Sequence, residues 1–366
     1  MLQDKLPTWV DFKALFAQSI AIAVLVNGCA QLPRNTAPNL EPIAVSALPS
    51  FAADDLKGLD QAIQAQCTLA NPPAPWAQLC LEFRGLLRAP MGYSANSLRQ
   101  WLSTRFIAWP LLNNQGSAEG LITGYYEPLL TGSRKQENDR QVPLHSKPND
   151  LVKAVPYATR AEIQNNGLLK GQELMWLDDP IDAFFLEVQG SGRVQLRSDS
   201  GTTTARIGFA DHNGQPYKAI GRVLIERGAL KPEETNAESI KAWLRANPVE
   251  AKLIMQANPR YIFFRELSGI SADKGPLGSL SVPLTAQRSI ATDPKVVPTG
   301  SLMYIDTTMP DNAQRALQRV VISQDVGAAI TGEVRADFFW GFGVDAERRA
   351  SLMKQQGRLW VLRPKP

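Results

Sequence analysis

From about residue 119 to residue 362 the chain is built of short β-prone runs separated by turn residues, and this texture limits the fold more than any other feature. The runs are Leu121–Tyr126, Ala183–Val188, Val194–Arg197, Thr202–Gly208, Tyr261–Phe264, Ser301–Ile305, Arg319–Ser323, Phe338–Trp340 and Leu359–Leu362. Runs this short, bounded by Gly, Pro, Asn and Asp, predict strands of barrels or sandwiches rather than a helical bundle. The 26 Gly and 26 Pro among 366 residues supply the turns. Helices are predicted only locally. Leu56, Leu59, Ile63 and Cys67 have helical spacing behind Asp54 and Asp55, which suit a helix start. Leu98, Trp101, Leu102 and Phe106 mark a second helix, which Pro110 ends. Ala219–Arg227 stops at Gly228, and Thr235-Asn-Ala-Glu238 reads as a capping box opening a helix through Ile240, Trp243 and Leu244. The expected class is mainly β with minor α, and the length suits about two domains.

The N-terminus has a different texture. Residues 14–28 form an apolar run interrupted by Gln18 and Ser19, short of the roughly 20 apolar residues a membrane span needs. It is long enough for a signal-peptide core, and Cys29 follows Gly28 at once. A small residue and then Cys after such a core resembles a lipoprotein processing site, so residues 1–29 are expected to be a signal peptide ending at a lipidated Cys29. Ala rather than Asp at position 30 points by the same resemblance to the periplasmic face of the outer membrane. Residues 30–50, rich in Pro, Ala and Asn, read as a tether. Cys67 and Cys80 would then form a disulfide or remain two buried thiols; both readings stand.

Composition removes several kinds of chemistry. The 39 basic and 35 acidic residues form no block of like charge, so no nucleic-acid partner is expected. The two histidines, His145 and His212, lie near no Cys and not near each other, which leaves a metal site or a Ser-His-Asp triad poorly supplied. Gly190-Ser-Gly192 is a lone glycine pair, not a nucleotide fingerprint. Neither a cofactor nor a metal is expected. Carboxylate chemistry remains, because a positioned Asp can act as acid and then base if burial raises its pKa. Asp337 in Arg335-Ala-Asp-Phe-Phe-Trp-Gly-Phe-Gly343 is the most telling candidate: a charge set among aromatics in a run fit for a buried strand. Asp325 opens Asp-Val-Gly-Ala-Ala-Ile-Thr-Gly332, and Asp293 precedes Pro294.

Taken together, these residues resemble the membrane-bound lytic murein transglycosylase A family. The ordered set Asp293, Asp325-Val-Gly and Asp337 resembles its three-aspartate C-terminal module. Further matches are Thr123-Gly-Tyr-Tyr-Glu-Pro128, Phe185-Leu-Glu-Val-Gln-Gly-Ser-Gly-Arg193, Asn213-Gly-Gln-Pro-Tyr217, Phe263-Phe-Arg-Glu266 and Gly275-Pro-Leu-Gly278. Ala328 stands where Gly is usual and Thr292 where an apolar residue is common. The resemblance implies a double-psi β-barrel domain from residues 50–128 and 269–366, an inserted β-barrel-like domain over 129–268, and a substrate groove between them.

It also implies peptidoglycan glycan strands as substrate. The bond between N-acetylmuramic acid and N-acetylglucosamine would be cut without water, leaving 1,6-anhydro ends. An ordinary glycosidase needs two carboxylates; here the C6 hydroxyl of the sugar is the nucleophile, so Asp337 alone can serve as acid and base. Asp325 would tune Asp337, and Asp293 would hold a turn. Thr123, Gly124 and Tyr125 would line the groove, with Gln189, Ser191 and Arg193 beside the glycan. The membrane, through the lipid anchor, and wall-synthesis proteins are candidate partners. Two alternatives are kept: a non-catalytic wall-binding lipoprotein, and a transglycosylase using Glu266 as its acid.

Overall fold

The computed structural model describes residues 41–365 apart from 73, 90–92, 153, 199 and 200. The signal-peptide and lipidation expectations at residues 1–29 lie outside the described residues. In chain order, β1 (Ile43–Ala44), α1 (Leu59–Gln66), α2 (Trp76–Leu87) and α3 (Ala95–Arg105) lead to β2 (Phe106–Pro110) and β3 (Gly120–Glu127). Next come β4 (Leu129–Ser133), β5 (Val142–His145), α4 (Arg160–Asn166), β6 (Glu173–Leu177), α5 (Pro180–Gln189), β7 (Ser191–Ser198) and β8 (Gly201–His212). The helices α6 (Ile220–Glu226), α7 (Ala237–Ala246) and α8 (Pro248–Gln256) precede β9 (Ile262–Leu267). The chain finishes with β10 (Ser289–Thr292), β11 (Leu302–Met309), β12 (Asn312–Asp325), β13 (Arg335–Phe342), α9 (Val344–Leu352) and β14 (Lys354–Pro364).

The strands form two barrel-like sheets, as the turn-punctuated sequence predicts. In the first, β14, β11, β12, β10, β13 and β3 are neighbours in that order, and β3 pairs back onto β14 and closes the ring. Two pairings are parallel, β10 with β12 and β13 with β3. In the second sheet the order is β5-β6-β4-β7-β8-β9, with a bridge from Ser146 to Phe264 joining its two ends. Closure removes the exposed strand edges that invite aggregation.

Side chains alternate across a strand, and β13 uses both faces. Ala336, Phe338 and Trp340 point into the first barrel with Ile290, Met303, Val321 and Leu359. Asp337 and Phe339 therefore point out of it. Truncating the fully buried Phe338 to Ala would cost about 3–5 kcal/mol.

The two sheets are joined twice, by Pro128 between β3 and β4 and by the return after β9. Glu127, at the first crossing, accepts hydrogen bonds from Arg193 Nε (2.9 Å) and Arg206 Nη2 (2.7 Å). Those arginines also donate to the carbonyls of Ala272, Lys274 and Ser271 in the second crossing. One buried carboxylate thus ties both connections together.

Several local expectations are corrected. Ala183–Val188 is not a strand but the body of α5: Asp179 caps it by accepting from Ile181 N and Asp182 N, Pro180 sits in the first turn, and Gly190 ends it at φ 78°. An apolar run buried on several sides looks alike in either state, and the Asp-Pro…Gly frame is the signal that separates them. The tether expected over residues 30–50 does not extend through its last part, because Val45 and Leu48 are buried in the core. Asp54 and Asp55 do not cap α1, whose N-cap is Gly58; Asp54 is buried against Arg288. The capping box of α7 is Asn236 with Ser239, one residue beyond the expected Thr235. Cys67 and Cys80 are joined as a disulfide between α1 and α2.

Candidate active site

Strand register assembles the site. Asp337 on β13 lies opposite Thr123 on β3 and Ala291 on β10, and Ala291 lies opposite Asp325 on β12. The four residues make one row across the outer face of the barrel, Asp325-Ala291-Asp337-Thr123. Two strand spacings separate the aspartates, about 10 Å between backbones. Ala291, between them, is buried.

Thr123 Oγ1 donates to Asp337 Oδ1 at 2.6 Å. Tyr125, two residues along the same face, donates from its hydroxyl to Asp325 Oδ2 at 3.1 Å. Asp325 Oδ1 also accepts from the backbone N–H groups of Ser279 (3.0 Å) and Val326 (2.9 Å). Tyr125 packs on Phe339 at 5.1 Å between centroids, with Leu284 completing a small apolar cluster beside the row.

Both aspartates are enclosed by protein, though each keeps some solvent contact. Burial pushes Asp325 up to about 6, and the charge of Asp337 adds to the rise against the three donors that favour the carboxylate. Burial likewise raises Asp337, opposed by the Thr123 hydrogen bond and by the charge of Arg335. Neither has an ion-pair partner among the described residues. Desolvation is the dominant cause in both, as the aromatic surroundings of Asp337 suggest.

The other expected site residues divide. Thr123 and Tyr125 join the aspartates. Gly124 faces the opposite way, because a Cβ there would meet the Trp340 indole nitrogen at 2.7 Å. Gln189, at the C-terminus of α5, accepts from Tyr126 N through Oε1. Ser191 is buried at the start of β7. Arg193, expected beside the glycan, is buried: it is bound to Glu127 and stacks on Phe342 at 4.0 Å. Asp293 accepts from Lys295 N and from Gly332 N, and these bonds hold its carboxyl below the usual range. It thereby pins the loop that enters β13. Glu266 forms a two-pronged exposed pair with Arg134, at 2.7 Å in both bonds, which lowers its pKa.

Tyr217 closes a sequence motif that by itself suggests no role for the ring. Burial raises its hydroxyl, Arg160 opposes the rise, and the charge of Asp337 adds to it, so this second-sheet loop comes within electrostatic reach of the acid. The loop is held on both sides, by Arg260 to Gln215 O and by Lys218 N to Asn258. Among the described residues no three His, Cys, Asp or Glu side chains gather as a metal-binding group.

Two family models match the chain, the MltA specific insert domain over residues 121–265 and the 3D domain over residues 288–363. The chain is 29% identical over 289 residues to the membrane-bound lytic murein transglycosylase A of Escherichia coli K12, covering 74% of this chain and 76% of that protein. Among solved structures it resembles the lytic transglycosylase LtgG of Burkholderia pseudomallei, at 42% identity, 89% and 96% coverage and a TM-score of 0.60. It also resembles MltA from Neisseria gonorrhoeae, at 31% identity, 88% and 92% coverage and a TM-score of 0.73. With both domain matches in chain order and relatives that align across both barrels, the chain belongs to the membrane-bound lytic murein transglycosylase A family.

Proposed function

We propose that this protein is a peptidoglycan lytic transglycosylase that cuts the β-1,4 bond between N-acetylmuramic acid and N-acetylglucosamine and leaves 1,6-anhydro ends. The observation that carries this reading is the Asp325-Ala291-Asp337-Thr123 row: two desolvated carboxyl groups with raised pKa values and, among the described residues, no ion pair to either. Asp337, whose carboxyl pKa burial raises, gives its proton to the leaving glycosidic oxygen. As carboxylate it then takes the proton of the muramyl C6 hydroxyl while that oxygen closes on C1. Tethering the nucleophile to the sugar supplies the effective-molarity advantage of an oriented intramolecular reaction. Asp325, steadied by Tyr125 and two backbone N–H groups, stabilises positive charge developing on the ring. Thr123 orients Asp337, while Gln189 and Ser191 border the glycan. Asp293 keeps a supporting role at the loop before β13.

We further propose that Cys29 is lipidated after removal of residues 1–28 and holds the enzyme on the periplasmic face of the outer membrane. The Cys67–Cys80 disulfide supports an oxidising compartment. The Glu266 alternative is disfavoured by its exposed pairing with Arg134, which keeps that carboxyl ionised rather than ready to donate.

The test is chemical. Purified sacculi incubated with the protein should release muropeptides with 1,6-anhydro ends by mass spectrometry, and Asp337→Asn should abolish the release while Glu266→Gln does not. Products with ordinary reducing ends would refute the mechanism. Tight binding with no release would support the wall-binding alternative.

A further inference from the structure

A cavity of about 750 Å³ opens on the outer face of the first barrel, between α1 and the return segment 273–287. It contains neither aspartate of the row. It nevertheless lies on the same face: Phe339 and Glu127, two of its lining residues, follow Asp337 and Thr123 by two and four positions on β13 and β3. At strand rise, Glu127 lies about 13 Å along from Thr123. The cavity volume is in the range of small-ligand sites.

The charges lining it are unevenly committed. Of its three carboxylates, Glu127 is held by Arg193 and Arg206, and Asp55 by Arg288 and Arg319. Asp273 is exposed, bonded to Ser271 and 4.0 Å from Lys274. Lys57 is exposed, lines the cavity with Lys274 and forms no ion pair among the described residues. The arginines on the other walls leave the site with cationic character. An apolar wall accompanies it, since Phe342 is half exposed beneath the stacked Arg193 guanidinium.

We infer that this cavity is a subsite for the carboxylate-bearing peptide stem that hangs from the lactyl group of muramic acid, with Lys57 and Lys274 receiving the stem carboxylates. The inference rests on the murein substrate proposed above and names which part of it the cavity takes. Geometry supports the match: an extended peptide of about four residues spans roughly 13 Å. The stem of a sugar at the Asp337–Thr123 pair is therefore long enough to reach the cavity.

The experiment uses the full chain and a free murein tetrapeptide stem as probe, read by titration calorimetry. Wild type should bind the stem, the same peptide with its carboxylates amidated should bind at least about tenfold more weakly, and Lys57→Ala/Lys274→Ala should lose about tenfold. Gln64→Trp, an exposed change on the α1 wall, should block binding by bulk with the fold intact. In turnover, the lysine variant should lose kcat/KM on stem-bearing glycan strands and keep wild-type values on strands stripped of stems by amidase. Absence of stem binding to wild type, or an equal loss on both strands, overturns the subsite. Stem binding in a protein that cleaves neither strand would instead retain the subsite and sink the proposed activity.

Discussion

The molecule buries carboxylates in two ways. At the row, Asp325 and Asp337 are enclosed with neutral donors only, and burial raises both pKa values. At the joints, Glu127 and Asp54 are more deeply buried, at 1% and 4% exposure, yet each is gripped by arginine: Glu127 by Arg193 and Arg206, Asp54 by both terminal nitrogens of Arg288. What distinguishes the row is desolvation without an ion pair among the described residues, a setting that favours the protonated form even against the charge of Arg335. The arginine-bound pairs instead join parts of the chain remote in sequence, and breaking one strands a buried charge.

The comparison can be broken most sharply at Asp337. Asp337→Asn keeps shape and removes the proton, so anhydro-product release should fall by about 10²–10⁴-fold with an unchanged circular dichroism spectrum. A variant retaining parental activity would show that the row is merely buried polarity. At the joint the expected loss is in stability. Arg288→Met leaves Asp54 buried without its partner and should cost about 3–5 kcal/mol in urea denaturation.

The opposite sign is expected at Asp325. Its folded pKa lies near 6 against an ordinary 3.8, so as pH rises the unfolded chain releases the proton first. Stability therefore falls between about pH 4 and pH 6 and stays lowered above. Asp325→Asn should raise Tm by a few degrees at pH 8 and by nothing near pH 3, while lowering activity. A destabilised variant at pH 8 would mean that its three hydrogen bonds outweigh desolvation.

The smallest effect concerns Thr123. Its hydroxyl favours the ionised form of Asp337, so Thr123→Val should raise that pKa further. The alkaline limb of the pH–rate profile should move upward by roughly one unit. A downward shift would contradict the hydrogen-bond assignment.

Much of the row is legible in the residues themselves. The alternation of Ala336, Phe338 and Trp340 around Asp337 requires a strand with one misplaced charge. The turn at Asp293 is visible too, through its proline. The helical state of Ala183–Val188 is harder to read, because five apolar residues in six carry no period and only the capping frame separates the two states. Arg193 reads as a turn cation, since nothing near it in sequence announces Glu127, 66 positions earlier.

Residue order is enough to set the class of fold and the kind of chemistry. Turn spacing permits only short strands, and with two histidines and no nucleotide motif the carboxylates are left to act. Which carboxylates can do so is settled only when the strands pair. Pairing of β12, β10, β13 and β3 sets Asp325 and Asp337 in one row 12 positions apart in sequence, while Asp54 finds Arg288 across 234 positions and forms an ion pair with it. A carboxyl group's pKa depends on the charges and solvent within a few ångströms. Those neighbours come from strand register and long-range packing, which local sequence does not encode.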